Sequence, residues 1–456
     1  MQTIAEDMPS VLFVTLGCAK NEVDTDRMRA LLLRGGFREV EEVEDASLVI
    51  INTCSFLASA TEESIECTLE LAEGVREGVR SCPIVMCGCV PSRYGSDLPN
   101  ELPEVSAFVR TDEEDDIVSV CRRVLGLPEQ EAKPLASVDD LAGESLRTIC
   151  GTSAYVKISD GCDRFCAFCA IPYIRGRYHS RPYAEIAQEV SSLMEGGTRE
   201  VVLIGQDTGV WGCDLSEGDS LASLLRRLAT LVAPYGGWLR VLYLQPEGMT
   251  DELVSVIRDV PEVLPYIDIP IQHCSERILT RMNRSGSSEE YGRLFERLRS
   301  EIPGMVLRTT ALVGFPGETD DEVDELVGFL EHERVDYCSV FSYSPEEGTV
   351  ASRMEDQIPD DVKLERTQRL IDTAEQLGFD ATARHVGETC EVIIDGVEST
   401  DTGDELIGHT WFQAPDSDGA VHIVEGSVSV GDVVTCRLTD SFCYELEGEL
   451  VGGDHR

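Results

Sequence analysis

The sequence predicts an α/β multidomain chain in three parts: an N-terminal parallel α/β domain, a partial (β/α)6 barrel and a small C-terminal antiparallel β-barrel. Three observations carry this. Residues 11–125 hold three apolar strand-like runs, each followed by a helical pattern. From Ala154 onward strand and helix patterns alternate again, six times. After Gly387 the character changes to short β segments separated by Gly and Asp turns. The parts are expected at 1–126, 148–386 and 387–456, with a linker at 127–147.

In the first part the strands read Val11–Leu16, Leu48–Ile51 and Ile84–Met86, and a cysteine stands just beyond each: Cys18, Cys54 and Cys89. The carboxyl ends of parallel strands share one edge, so three residues distant in sequence can converge there. Cys87 competes with Cys89 for the third place. The stretch from Leu127 to Thr148, rich in Pro, Glu, Ala, Ser and Asp, lacks periodicity and reads as a linker. The second part offers strands at Tyr155–Ile158, Glu200–Ile204, Leu239–Leu244, Tyr266–Ile269, Val306–Val313 and Tyr337–Tyr343, with helices such as Ala184–Glu195 and Asp320–Glu331 between them. Six βα units without a seventh and eighth suggest a barrel left open. A long helical pattern, Asp361–His385, leads into the third part.

The run Cys162-Asp163-Arg164-Phe165-Cys166-Ala167-Phe168-Cys169 supplies three thiolates where a fully ligated four-iron cluster needs four. One iron would be left open to a ligand. A zinc site would need a fourth donor, and the nearest candidates, Cys150 and His179, stand alone without paired spacing. The loop follows the first barrel strand, at the mouth where barrel active sites assemble. Phe165 and Phe168, between the ligands, are expected to shield it from water.

Composition excludes some classes. No run of 18 apolar residues occurs, and the N-terminus, Met1-Gln2-Thr3-Ile4-Ala5-Glu6-Asp7, is acidic where a signal peptide is basic, so a cytoplasmic chain without a membrane partner is expected. Seventeen cysteines, an odd number, then read as metal ligands plus buried thiols, the latter at Cys67, Cys121, Cys213, Cys338, Cys390, Cys436 and Cys443. A net charge of −47 repels phosphates and favours a basic partner or a small molecule.

Further motifs make the picture specific: Gly17-Cys18-Ala19-Lys20-Asn21, Asn52-Thr53-Cys54, Gly88-Cys89-Val90-Pro91-Ser92-Arg93-Tyr94, Arg175-Gly176-Arg177-Tyr178-His179-Ser180-Arg181, Leu203-Ile204-Gly205-Gln206-Asp207-Thr208, Pro270-Ile271-Gln272-His273-Cys274-Ser275 and Val313-Gly314-Phe315-Pro316-Gly317-Glu318-Thr319. With these the chain resembles the radical-SAM methylthiotransferase family over nearly its whole length, the barrel parts corresponding to a radical-SAM core and a TRAM barrel. The resemblance selects Cys89 over Cys87. It implies two 4Fe-4S clusters, an auxiliary one on Cys18, Cys54 and Cys89 and a radical-generating one on Cys162, Cys166 and Cys169. S-adenosyl-L-methionine (SAM) is implied as cofactor, one molecule methylating a sulfur and a second cleaved to a 5′-deoxyadenosyl radical. Gln206, Asp207, Gln272 and Gly314 are candidate SAM contacts, whereas His273 reads as a structural histidine and Asn21 as a helix cap. An electron donor and a sulfur source are implied partners.

The run from Gly161 to Pro172 and the segment Gln413-Ala414-Pro415-Asp416-Ser417-Asp418-Gly419 are similar to the RimO-type branch, which modifies the β-carbon of an aspartate in a small-subunit ribosomal protein. His409 and Gln413 depart from the arginine and aspartate expected there. Charge points the same way: Gly387–Leu450 carries fifteen Asp/Glu against one Arg, Arg437, so a basic ribosomal protein suits it and transfer RNA does not. The competing readings are a transfer-RNA adenosine methylthiotransferase and a non-catalytic iron–sulfur protein; open cluster corners argue against the latter.

Overall fold

The computed structural model describes residues 8–77, 82–129, 152–400, 403–423 and 428–451. The expected linker falls mostly at 130–151, outside the described residues. The N-terminal domain is a five-stranded parallel sheet in the order Arg38–Glu39, Ser10–Thr15, Leu48–Thr53, Ile84–Gly88, Val105–Arg110. The three expected strands are there, and two edge strands add to them. Leu48–Thr53 and Ile84–Gly88 are buried along their whole length, as strands covered on both faces must be. The edge strands lacked that signal: Arg38–Glu39 is exposed, and Val105–Arg110 mixes buried Val105 with exposed Ser106 and Arg110.

The second domain is a six-stranded parallel sheet in sequential order: Ser153–Lys157, Glu200–Ile204, Trp238–Val241, Val263–Gln272, Val306–Val313 and Tyr337–Ser342. The first and last strands do not pair, so the barrel stays open. Side chains alternate across it. Val156, Leu203, Val241, Ile267 and Leu307 face the helices, and Tyr155, Val202, Ile204, Tyr266, Val306 and Tyr337 face inward.

Those inward residues share one core with the C-terminal domain, a closed barrel of Thr389–Thr400, Gly403–Thr410, Val421–Ile423, Glu445–Leu450 and Val433–Phe442. Four of its seams are antiparallel, and Val421–Ile423 runs parallel to Glu445–Leu450. The turn that follows Thr410 enters the open barrel. Tyr155 donates its hydroxyl to Pro415 O at 3.1 Å, Tyr266 donates to Asp418 Oδ2 at 2.5 Å, and Arg308 reaches Asp418 Oδ1 at 3.1 Å. The segment 413–419 is thus an interdomain plug.

Of the isolated cysteines, Cys121 and Cys436 are buried as expected. Cys213 is exposed, a correction: it lies in a turn after the strand Glu200–Ile204 rather than on an apolar face. Among the described residues, no helix is long and apolar enough to cross a membrane.

Candidate functional site

The strand Ser10–Thr15 leads to Gly17, whose φ of +103° lies where L side chains rarely go; a Cβ there would stand 2.6 Å from Cys54 Cβ and 3.1 Å from Cys54 Sγ. Cys18 follows, at the start of the helix Ala19–Arg34. Asn21, in the first turn, gathers the strand ends. Its Nδ2 donates to Leu16 O at 3.0 Å and Thr53 O at 2.8 Å, while its Oδ1 lies 3.7 Å from Cys18 Sγ and 4.0 Å from Cys89 Sγ. The expected helix cap is therefore a correction: Asn21 braces three converging loops and makes no cap. Gly88 has a φ of +90°, and a Cβ there would meet Asn52 Oδ1 at 2.2 Å. Cys87, one residue earlier, points the other way into the sheet's core, fully buried.

The second cysteine loop adjoins the first domain where Ala170, next to Cys169, packs with Cys89. Gly161 (φ +73°) turns the chain after Ser159–Asp160, where a Cβ would stand 2.2 Å from Arg177 O. Asn283 Nδ2 donates to Arg164 O and Phe165 O at 3.2 and 3.0 Å, and Ala167 is held by Met282 and Ala351 through backbone bonds of 2.8 Å each. Cys162 is buried; Cys166 and Cys169 are half-buried. Phe168 packs inward, but Phe165 is 36% exposed, edge-on to Tyr173 beneath Arg177. The shielding expected of Phe165 is corrected by its left-handed backbone (φ 48°), which turns it outward.

Burial pushes the thiols up, Cys162 to about 11, Cys169 to about 12 and Cys89 to about 12, Arg175 opposing the shift at Cys89. Metal binding here must therefore displace protons.

The strand ends bring further polar groups to this mouth. Gln206 Nε2 donates to Asp160 Oδ1 at 3.0 Å, and its Oε1 is buried without a partner. Asp207 Oδ2 accepts from Arg164 of the cysteine loop at 2.6 Å, and its Oδ1 is likewise unpartnered. Gln272 ends its strand with a φ of 69°. Gly314 donates its N–H to Glu318 Oε1 at 2.9 Å, and a Cβ on it would lie 2.6 Å from Lys363 Cγ, so packing of the helix Asp360–Ala383 already accounts for this glycine. His273 is buried, accepts two backbone N–H groups at Nδ1 and has its pKa lowered by burial to about 4, a structural role as expected.

Sequence reasoning missed the groups that join the two halves. Arg175, 8% exposed, bonds Asn21 Oδ1 at 3.0 Å, Asp24 Oδ2 at 2.9 Å and Asp160 Oδ2 at 3.2 Å, and lies 3.9 Å from Cys89 Sγ. Lys157 also bridges Asp24 and Asp160. On the other flank, Arg93 donates to Ser55 O at 2.7 Å and to buried Glu346 at 3.0 Å, which also accepts from Ala58 N. The arginine-rich motif at 175–181 was the only sequence signal.

Comparison with known proteins follows the same division. The Radical SAM superfamily matches residues 156–330, the uncharacterized family UPF0004 matches 10–110, and the TRAM domain matches 386–451. The "Ribosomal protein uS12 methylthiotransferase RimO" of Trichlorobacter lovleyi is 40% identical over 97% of this chain and 98% of its own length. The chain belongs to the RimO family of radical-SAM methylthiotransferases. RimO of Geobacter sulfurreducens is also 40% identical over 97% of the chain and 98% of its own length, and that of Synechococcus sp. (strain CC9311) is 37% identical over 98% and 94%. Among solved structures, the radical SAM methyltransferase TsrM from Kitasatospora setae shares the fold at a TM-score of 0.53 and 14% identity, covering 74% of this chain and 72% of that one. The cobalamin-dependent SAM radical enzyme OxsB does so at 0.51 and 11%, covering 79% and 56%.

As a RimO-family enzyme the chain implies a 4Fe-4S cluster and SAM, and its residues fit both. Three thiols on one clamped loop are a soft donor set one short of four, and the orphaned oxygens of Gln206 and Asp207 await a polar ligand beside them. Among the described residues, no three His, Cys, Asp or Glu side chains close on a single metal ion, whereas a cubane spreads its thiolates over separate irons.

Proposed function

We propose that this enzyme adds a methylthio group to the β-carbon of an aspartate in ribosomal protein uS12, in the cytoplasm, using two SAM molecules and two 4Fe-4S clusters. The observation that supports the reading is the junction at Cys89, which packs against Ala170 beside Cys169 and lies 3.9 Å from Arg175, the residue that ties the two domains together. Cys162, Cys166 and Cys169 would hold the radical-generating cluster, and Cys18, Cys54 and Cys89 the auxiliary one. Together with SAM these groups supply a 5′-deoxyadenosyl radical on one side and a methylthio sulfur on the other.

The protein's task is then placement. Arg164 draws Asp207 against the cysteine loop, and the unpartnered oxygens of Gln206 and Asp207 would suit the ammonium of a SAM bound at that loop. Gln272, at the next-but-one strand end, is a further contact. Gly314 contributes by letting Lys363 and the long helix close the barrel wall. Arg93–Glu346 and Arg175–Asp24 hold the N-terminal domain down at two flanks, so that a carbon radical would meet sulfur before water.

The substrate assignment rests on the relatives' name and on charge. Asp395 and Asp418 of the barrel face inward to His409 and Arg308, but Glu391, Glu398, Glu447 and Glu449 are exposed and disfavour a phosphate backbone. Mass spectrometry of extracts from cells with and without the gene tests it. A methylthio increment on a uS12 aspartate that disappears with the gene is expected; an increment on a transfer-RNA adenosine, with uS12 unmodified, overturns it.

A further inference from the structure

Five Lys or Arg residues are buried among the described residues: Lys20, Arg175, Arg240, Lys363 and Arg366. Four of them hold carboxylates: Asp24 and Asp160, Glu200, Asp360, and Glu318 with Asp320. Lys20 holds none. It is 8% exposed, and its ammonium sits over the face of Tyr243, 3.5 Å from the ring centroid. In a chain with 85 acidic residues against 38 basic ones, a buried cation left with only a π face is out of place unless something else brings the anion.

Its position says what that is. Lys20 lies two residues after Cys18, in the first turn of the helix Ala19–Arg34. Tyr243 follows the barrel strand Trp238–Val241 at the mouth, its backbone in the left-handed region (φ 60°), and its carbonyl accepts from Thr208 N at 3.1 Å. Thr208 adjoins Asp207, which is bonded to Arg164 between Cys162 and Cys166. The Lys20 ammonium therefore links the segment that carries Cys18 to the strand end at Tyr243, whose carbonyl holds Thr208, the residue after the Asp207 that is tied to the Cys162–Cys169 loop. Of the other cations near the mouth, Arg164 is paired with Asp207 and Glu247, Arg177 with Asp163 and Arg93 with Glu346, and Arg284 donates to Pro270 O at 2.6 Å.

We propose that Lys20 receives the side-chain carboxylate of the substrate aspartate and so selects an acidic side chain for methylthiolation. This rests on the proposed protein substrate. The carboxylate is bonded directly to the carbon that loses hydrogen, so anchoring the carboxylate leaves that carbon only one C–C bond from the anchored group. An adenine offers no such anion.

The test uses the anaerobically reconstituted full chain and two fluorescent peptides, one centred on the uS12 aspartate found by mass spectrometry and one with asparagine there. A charge-assisted contact predicts that the wild-type chain prefers the aspartate peptide by about tenfold or more in Kd, that Lys20→Met lowers the preference below about twofold, and that Lys20→Arg retains most of it. Equal affinity of the wild-type chain for the two peptides, or an undiminished preference in Lys20→Met, overturns the proposal. Lys20→Gln guards against a loading defect: loss of iron in both neutral variants, with Lys20→Arg intact, assigns Lys20 a structural charge and also overturns it. Modification of an adenosine instead defeats the substrate reading, whereas a modified aspartate with no Asp/Asn discrimination defeats only Lys20.

Discussion

His409 bridges two carboxylates from different domains: its Nε2 lies 2.5 Å from Glu200 Oε2 of the radical-SAM sheet, and its Nδ1 lies 2.5 Å from Asp395 Oδ2 of its own barrel. Glu200 is also paired with buried Arg240 at 2.5 Å. Burial opposes a charge on His409, but Glu200 and Asp395 outweigh it and hold its pKa up at about 9. A protonated histidine thus acts here as a buried cation where the family resemblance anticipated arginine. Gln413 braces the same turn, accepting from Thr410 and donating to Tyr444 O at 3.3 Å.

That elevation sets a pH dependence. Unfolded, His409 titrates near 6.5. Its contribution is fully present below that pH and is lost as pH rises through about 9. Denaturant midpoints measured between pH 6 and 10 should fall by a larger amount for the wild-type chain than for His409→Gln, and parallel curves would contradict the bridge.

Iron content reports the two cysteine sites. Full reconstitution should give about eight irons. Replacing Cys162, Cys166 and Cys169 by alanine, or Cys18, Cys54 and Cys89, should halve it in each case, and only the first set should abolish reductive cleavage of SAM. Retention of all iron by the second triple variant would remove the auxiliary site.

Gly17 is the glycine that touches an auxiliary cysteine directly. Gly17→Ala forces a Cβ against Cys54 in a backbone conformation that disfavours it. We expect about half the iron to be lost, with SAM cleavage at the other site preserved. Full iron loading would show that Cys54 is not held where the geometry puts it.

Arg175 is a positioning residue whose removal leaves Asp24 and Asp160 with Lys157 as their remaining ion-pair partner. Breaking such a buried network should cost about 3–5 kcal/mol, read by denaturant unfolding, and Arg175→Lys should recover part of it. Loss of a cation 3.9 Å from Cys89 Sγ should also lower the reduction potential of the auxiliary cluster, measurable in the chain lacking Cys162, Cys166 and Cys169. An unchanged potential would confine Arg175 to holding the domains together.

Surface charge should control encounter rather than chemistry. Neutralising Glu398, Glu447 and Glu449, all exposed on the barrel, should slow association with uS12 and weaken its salt dependence. An association rate unaffected by the three changes would place the docking surface elsewhere.

The strands, their order of appearance and the six ligand cysteine candidates were legible in the sequence because they rest on local signals: unbroken apolar runs such as Leu48–Thr53, turn glycines, and ligands held within eight residues at Cys162–Cys169. Edge strands were not, since Val105–Arg110 carries no burial pattern to announce it. The orientation of Phe165, the brace made by Asn21, the charge networks of Arg175 and His409 and the ammonium of Lys20 over Tyr243 rest on contacts between residues far apart in sequence, 209 positions for His409 and Glu200, and a charge has no periodicity that reveals its partner. Spacing along the chain determined which donors exist; only packing of three domains on one another decided which of them are neutralised, and which remain for a ligand.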